Sequence, residues 1–382
     1  MKKIIRITTV SSSLKGLLKG QLSFMSSYYN MIGIASDEDQ HLSAYQKREG
    51  VRTMEVSMTR KITPIKDLIG VYNLYKIFKK EKPFIVHTHT PKAGTLGMFA
   101  AKLAGVKHRL HTIAGLPLVE VTGAKRILLN VVEKFTYGCS TMILPNSFGM
   151  REIIIKERFC SEAKLKVLGN GSSNGVDIEH FNPENINKHD VDKLRIKYEI
   201  NQDDIILLFV GRIVKDKGIK ELVDAFDSVN KLNKKIKLIL VGPKEDHLDP
   251  LDKQTNHLIN TRENIIAVGA TDDVRPYYSL CDIFVFPSYR EGFPNVVLEA
   301  GSMGKACIVS NINGCNEIII PEYNGLIVPK KNSEKLKEAI QTLILDISLI
   351  KTMSKNARKN VIEKYQRKVV WNEILKLYNS LD

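Results

Sequence analysis

The stretch IFVFPSYREGFPNVVLEAGSMGKACIVS, residues 283–310, passes from one apolar run through a loop and a helical pattern into a second apolar run. IFVFPS and ACIVS have the length and the β-branched or aromatic content of buried strands. Between them Pro294 suits the first turn of a helix, Val296, Val297, Ala300 and Met303 recur at helical spacing, and Gly304 stops the pattern. Strand, helix and strand in succession build a parallel sheet covered by helices on both faces. Glu299 then rides the helix while Glu291 hangs in the loop before it. The helix start carries unpaired amides and a partial positive charge, which welcome a phosphate and leave a loop carboxylate to face elsewhere. Neutral hydroxyls are natural partners for such carboxylates. Taken alone, the pair also reads as a surface helix residue and a charge beside a helix start.

The same alternation runs outward in both directions. The first half offers the strand patterns IIRITTV, MIGIAS, VRTMEVSM, FIVHTHT, HRLHTIAG, TMILPNS and KLKVLGNG; the second offers IILLFVG, IKLILVGP, IIAVGA, IFVFPS, ACIVS and GLIVP. Helical patterns lie between them, and the chain turns wholly helical after GLIVP. A Gly-, Ser- and Asn-rich connection, GNGSSNGVDIEHFNPENINKHD, separates the halves. The expected division is therefore 1–182 and 183–366, with a last helix over about 367–382 carrying Trp371 and packing back on the first domain. At 382 residues, 43% hydrophobic, the chain is long enough for two such cores. One helix is well marked, with Thr63 as cap, Pro64 next, and Ile65, Leu68, Ile69, Tyr72, Tyr75 and Ile77 at helical spacing. Its apolar face is expected in the core, leaving only the basic end, Lys76, Lys79, Lys80 and Lys82, for an anionic lipid surface.

Net charge is +15, and it is lopsided: through Asn182 there are 27 Lys and Arg against 14 Asp and Glu, and beyond it 30 against 28. A basic first half attracts an anionic partner, whether nucleic acid, a membrane face or a phosphorylated substrate. Nucleic acid is disfavoured because interleaved aromatics and binding motifs are missing. The basic start MKKIIRITTVSSS is followed by too short an apolar run for a signal peptide, and no run of about 18 apolar residues suggests a membrane span. Five scattered cysteines without a C-x-x-C pair point to a reducing, cytosolic setting.

Ligands of parallel sheets sit beyond the carboxyl ends of the strands. There GRIVKDKG places Gly211, Arg212 and Lys217, two cations able to straddle a diphosphate. IIAVGA ends at Ala270, where backbone groups can meet a flat base. Lys15, Lys19, Arg60, Lys61 and Lys92 can rim the mouth of the first domain and take an acceptor's phosphates. His87 and His89 share a strand face but lack a third ligand nearby, and the Asp37-Glu38-Asp39 run looks like a coincidental metal motif.

EGFPNVVLEAGSMGKACIVS, together with GRIVKDKG, NGVD, HTIAG and the late GCNE, resembles the family-4 retaining glycosyltransferases of the GT-B fold, over essentially the whole chain. It is most similar to bacterial enzymes that build capsule, O-antigen or lipid-linked oligosaccharides. The resemblance implies two Rossmann-like α/β domains facing each other across a cleft, an acceptor-binding one first and a nucleotide-sugar-binding one second. It implies that Arg212 and Lys217 grip the donor diphosphate, that Glu299 binds the ribose, and that Glu291 faces the transferred sugar. Gly292, Phe293, Pro294 and Asn295 would lie at the diphosphate and sugar, His111 would be the active-site histidine, and the Gly16 loop would sit beside the diphosphate. Glu317 would support the donor pocket from behind. The implied reaction is metal-independent, with no cofactor: transfer of a hexose or N-acetylhexosamine, with retention, from a UDP-sugar to a polyprenyl-diphosphate-linked glycan. It would take place at the cytoplasmic face of the membrane, in peripheral contact with anionic lipid. A sugar-nucleotide epimerase of the same architecture is the alternative, and a basic nucleic-acid-binding module is the alternative of another class.

Overall fold

The computed structural model describes residues 1–116, 118, 121–246 and 248–381. Its chain divides into two compact units, Met1–Asn174 with Lys368–Asp382, and Gly175–Arg367. The division precedes the expected one at 182 because the linker is already committed to the second unit. The Val176 amide donates to the Tyr365 carbonyl (2.9 Å), the Arg367 amide donates to the Val176 carbonyl (3.0 Å), and Asp177 pairs with Arg367 at 2.6 Å.

The first unit holds strands β1 (Lys3–Val10), β2 (Asn30–Ser36), β3 (Arg52–Glu55), β4 (Ile85–Thr88), β5 (His108–Ile113) and β6 (Met142–Pro145). Its helices are α1 (Ser11–Leu17), α2 (Gln21–Ser26), α3 (Leu42–Glu49), α4 (Pro64–Glu81), α5 (Pro91–Leu103), α6 (Gly123–Cys139) and α7 (Phe148–Lys156). KLKVLGNG adds no strand: it makes a single bridge, Ile143 with Leu165. The strands are parallel in the order β3-β2-β1-β4-β5-β6. Alternation along β1 sends Ile5 and Ile7 to a core with α4 and α5, and Ile4 to a core with α1, α2 and α3.

Arg6 points to that second side and is fully buried. Its Nε donates to His89 Nε2 (2.8 Å), its Nη1 to the Tyr378 hydroxyl (2.9 Å), and its Nη2 to Gln21. The Tyr378 hydroxyl also meets His87 Nδ1 at 2.6 Å, and Gln21 and the Trp371 indole both donate to Asn174 Oδ1. A buried cation with no carboxylate beside it is tolerable only when hydrogen bonds satisfy it. Burial pushes the Arg6 pKa down, with the nearby Tyr378 and Tyr45 acting against it. Tyr378 and Trp371 belong to the last helix, which lies in the first unit with Val370, Ile374 and Leu377 in its core.

The second unit holds β7 (Ile205–Val210), β8 (Ile236–Val241), β9 (Ile265–Gly269), β10 (Ile283–Phe286), β11 (Ala306–Ser310) and β12 (Gly325–Val328). Its helices are α8 (Lys188–Lys197), α9 (Ile219–Leu232), α10 (Lys253–Thr261), α11 (Arg275–Leu280), α12 (Asn295–Ser302), α13 (Cys315–Ile318), α14 (Ser333–Leu345) and α15 (Ile347–Lys364). The last helix, α16, is Arg367–Asn379. The strand order β12-β11-β10-β7-β8-β9 repeats the topology of the first sheet, with all pairs parallel. In both sheets the chain reverses direction of growth between the first and fourth strand of the unit, which opens a crevice at their carboxyl ends. All five cysteines are free thiols.

Tyr378→Phe removes a hydroxyl shared by Arg6 and His87 and is expected to cost about 1–3 kcal/mol by stranding buried groups. A urea unfolding midpoint equal to that of the parent would show the hydroxyl to be dispensable.

Candidate active site

The β7/β10 reversal brings two loops together. β7 runs into Gly211 and Arg212, then a 3-10 turn, Lys215–Lys217, closed by Gly218 with φ of +70°. β10 runs into 287–294, the loop of Glu291. The two are laced through backbone, the Tyr289 amide donating to the Asp216 carbonyl at 2.9 Å and Arg290 pairing with Asp216 at 3.0 Å. Gly218 is required both by its left-handed conformation and by packing, since a Cβ there would lie 2.1 Å from the Pro287 carbonyl oxygen.

This lacing sets Lys217 Nζ 2.5 Å from Glu291 Oε1, with both side chains at least four-fifths buried (14% and 17% exposed). Ser288 Oγ donates to the same oxygen at 2.9 Å. Oε1 is thus held twice, and among the described residues Oε2 takes no hydrogen bond. Behind the loop, Asn313 Nδ2 donates to the Glu291 carbonyl at 2.5 Å. Gly314 admits the loop closely: a Cβ there would lie 2.5 Å from the Gly292 carbonyl oxygen. Glu317 accepts from the Gly314 amide at 3.3 Å, so its side chain fixes the neighbouring turn.

Arg212 Nη1 pairs with Glu245 Oε2 at 2.8 Å, and that bond holds the guanidinium pKa above its ordinary value. Pro294 caps α12 rather than opening it, with Asn295 as the first helical residue. Gly292, Phe293 and Pro294 are buried, and Asn295 is exposed. Glu299 is on α12, its Oε2 3.2 Å from the Tyr278 hydroxyl, which also lies 3.1 Å from the Val296 carbonyl and donates to one of them at a time. Burial pushes the Glu299 carboxyl up to about 7, with Tyr278 and Arg367 opposing. The residue keeps some solvent exposure. Ala270 follows β9 and is exposed.

In the first unit, His111 sits opposite Thr88 across β4 and β5, its Nδ1 2.8 Å from Thr88 Oγ1. Only 4% of it is exposed, and burial pushes its imidazole down to about 4, so it is neutral at neutral pH. Gly94 of α5 makes room for the ring, because a Cβ there would lie 2.3 Å from Cε1. Gly16 is not in a loop: α1 starts directly after β1, and Gly16 lies exposed in its last turn. The reason is local, since Asp39 accepts from the Ser12 amide at 3.0 Å and from Ser11 Oγ, ordering a helix start where a loop was expected. Those hydrogen bonds, working against partial burial, hold the Asp39 carboxyl down at about 2. The Asp37–Asp39 run is therefore a cap.

The three candidate acceptor cations do not converge. Lys92 pairs with Asp67 of α4 at 2.6 Å, Arg60 is exposed in the turn before α4, and Lys15 is exposed on α1, which packs with α3 on the other side of the sheet. His87 and His89 do share a face, in the Arg6 network. Among the described residues no group of three or more His, Cys, Asp or Glu could hold a metal ion.

Comparison with known proteins places this geometry. The family described as glycosyl transferases group 1 matches residues 190–360, and the one described as glycosyl transferase 4-like matches 10–147. The capsular polysaccharide biosynthesis glycosyltransferase CapM of Staphylococcus aureus is 33% identical over 380 residues, covering 99% of this chain and 97% of that one. The chain belongs to the group 1 glycosyltransferases. A UDP-Gal:alpha-D-GlcNAc-diphosphoundecaprenol alpha-1,3-galactosyltransferase of Escherichia coli is 33% identical over 80% of this chain and 78% of its own. HepE of Anabaena, solved in complex with UDP, superposes with a TM-score of 0.81 at 16% identity, over 100% of both chains, which shows the shared fold. The two parallel-sheet units are those of a GT-B glycosyltransferase, a nucleotide-sugar-dependent enzyme.

Several residues that build this glycosyltransferase's site escaped the motifs. Ser288 and Asn313 act on Glu291 from either side of it, Tyr278 meets Glu299 from another helix, and Thr88 and Gly94 frame His111. Ser288 was within reach of sequence reasoning, being three residues from Glu291 at a strand end; the others depend on contacts between elements far apart in the chain. Gly218→Ala should lower transferase activity at least about tenfold, because strain and overlap of this kind cost a few kcal/mol or more. Unchanged turnover with an intact circular dichroism spectrum would show that the two loops tolerate separation.

Proposed function

We propose that this enzyme transfers a hexose or N-acetylhexosamine, with retention of anomeric configuration and without a metal, from a UDP-sugar to a polyprenyl-diphosphate-linked glycan, as a step in bacterial surface polysaccharide biosynthesis. The reaction would take place at the cytoplasmic face of the membrane, with the enzyme held there peripherally. One observation carries the reading: the Lys217–Glu291 pair stapled across the β7/β10 reversal, a cation and a carboxylate at the carboxyl end of a dinucleotide-type sheet. The relatives named for undecaprenol-diphosphate-linked substrates support the acceptor class.

In this proposal Arg212, Lys217 and the amides at the start of α12 take the charge that develops on the departing nucleoside diphosphate. Glu291 Oε1 is fixed by Lys217 and Ser288, which leaves Oε2 for the hydroxyls of the transferred sugar. Glu299 accepts from the ribose, residues 292–295 flank the diphosphate, and Ala270 lies by the base. His111, neutral and oriented by Thr88, serves the sugar as a hydrogen-bonding group. The acceptor oxygen attacks the anomeric carbon from the face the phosphate leaves; the bond from that carbon to the phosphate oxygen breaks, and the acceptor's proton passes to the departing phosphate. Of the candidate cations, Lys92 is assigned to the acceptor's phosphates, exchanging Asp67 for them.

A screen of UDP- and GDP-sugars for donor hydrolysis tests the reading. Turnover of a UDP-sugar that Glu291→Ala lowers by about a hundredfold, the scale of a lost transition-state contact, is the expected result. Hydrolysis of none would remove the reading, and a glycosyl ester trapped on Glu291 would remove the single-step route. Because burial raises the Glu299 carboxyl to about 7, the ionised form that accepts from ribose fills only as pH rises through that value. UDP-sugar affinity should therefore strengthen from pH 6 to pH 8, and this dependence should vanish in Glu299→Gln. The same raised carboxyl contributes a stability term that is fully present below its unfolded value and fades as pH rises through about 7.

A further inference from the structure

Two helices of the first unit leave apolar faces to solvent. On α4, expected to bury its apolar stripe, only Gly70, Val71, Leu74, Phe78 and Glu81 are buried. Ile65, Leu68 and Tyr72 are 77%, 67% and 56% exposed, and Ile69 and the preceding Ile62 are exposed too. These positions, i, i+3, i+4 and i+7, form one helical stripe. On α6 only Thr136, Tyr137 and Cys139, all at the carboxyl end, are buried, while Ile127, Leu128 and Val131 project at 67%, 48% and 59%.

Both stripes lie at the same end of the sheet. α4 connects parallel β3 to β4 and α6 connects β5 to β6, so each runs against the strands and starts at their carboxyl ends. α5 lies between them, joined to α4 through Lys92–Asp67 and to the last turns of α6 through Thr95–Thr136 and Phe99–Phe135. The first half of α6 stands clear of those contacts. The two stripes therefore flank the edge of the sheet where its ligand sites lie.

Among the described residues, the exposed charges on these two helices and on the approach to α4 have one sign. Arg60, Lys61, Lys66, Lys76, Lys79 and Lys80 are exposed along α4 and its approach, and Lys125 and Lys134 along α6. The carboxylates are spent: Asp67 on Lys92, Glu81 on Lys3 and Arg52. Glu133, the acid of α6, is half-buried. A second copy packed face to face through this surface would set like charges against each other, whereas anionic headgroups complement them and acyl chains accept the aliphatic ridges. Among the described residues no helix is long and apolar enough to cross a membrane.

We infer that the first turns of α4 and α6 are a two-ridged docking surface for an anionic phospholipid bilayer, inserting Ile65, Leu68, Ile69 and Tyr72 on one side and Ile127, Leu128 and Val131 on the other. The inference rests on the lipid-linked acceptor proposed above. Docking through both ridges turns the carboxyl edge of the first sheet toward the headgroups, where a diphosphate on a lipid emerges.

Co-sedimentation of the full chain with phosphatidylcholine vesicles, with and without phosphatidylglycerol, tests it. Binding should require phosphatidylglycerol and weaken with salt. Leu68→Glu with Ile69→Glu, or Ile127→Glu with Val131→Glu, should each weaken it at least about tenfold. Leu345→Glu, exposed on the second unit, should leave vesicle binding unchanged, and urea midpoints should stay at the parent value in all three variants. Absence of vesicle binding, equal binding to neutral vesicles, or parental binding by either double variant overturns the assignment. So does a concentration-dependent dimer that the same variants abolish while vesicles are ignored. Transfer by the parent enzyme to a water-soluble acceptor separates the two readings. Transfer without vesicle binding sinks the docking surface alone; vesicle binding without transfer from any nucleotide sugar sinks the proposed function alone.

Discussion

The approach of the β7 and β10 loops is the constraint on which the candidate site depends. A parallel sheet that grows first one way and then the other leaves its two central strands with loops that diverge over opposite faces. Here those loops are drawn back together by the Tyr289–Asp216 backbone bond and by Gly218 seated on the Pro287 carbonyl. Only this approach allows a lysine of one loop and a glutamate of the other to share a proton-rich contact in a mostly buried place. A buried ion pair of this kind is poor evidence of stability, since desolvation cancels much of its attraction. Its value is positional: Lys217 and Ser288 fix one carboxylate oxygen and thereby aim the other.

The first unit solves a different problem. Arg6 is a charge on the central strand with no acid paired to it among the described residues, satisfied by His89, Tyr378 and Gln21. Because Tyr378 comes from α16, the end of the chain completes a network begun six residues from its start. His111 sits on the opposite side of that sheet, where Gly94 lets α5 close over it. The two polar clusters are thus separated by the alternation of β strands, one holding the helix and the other presenting a neutral imidazole.

Much of this could be read along the chain. Twelve of the thirteen strand patterns became strands, because buried parallel strands announce themselves as short apolar runs; KLKVLGNG has the runs' composition but meets only one bridging partner. The placement of Glu299 on a helix and Glu291 in a loop followed from Pro294, whose ring sets the start of α12. Gly16 lies in a helix rather than a loop, which its neighbours in sequence do not announce because the residue that caps α1, Asp39, lies beyond the next strand. Lys92 read as a free cation because its partner Asp67 is on another helix.

Local pattern determined the elements, the two α/β units and the loops on which the candidate residues ride, since strand and helix periods are properties of neighbours in sequence. What each side chain does there was decided in three dimensions. The Lys217–Glu291 pair, the depressed His111, the raised Glu299 and the bare stripes of α4 and α6 all arise from burial or its lack, which depends on which distant element comes to cover a face. A helical stripe looks the same in sequence whether it meets a sheet or solvent; only the packed fold distinguishes a core from a docking surface.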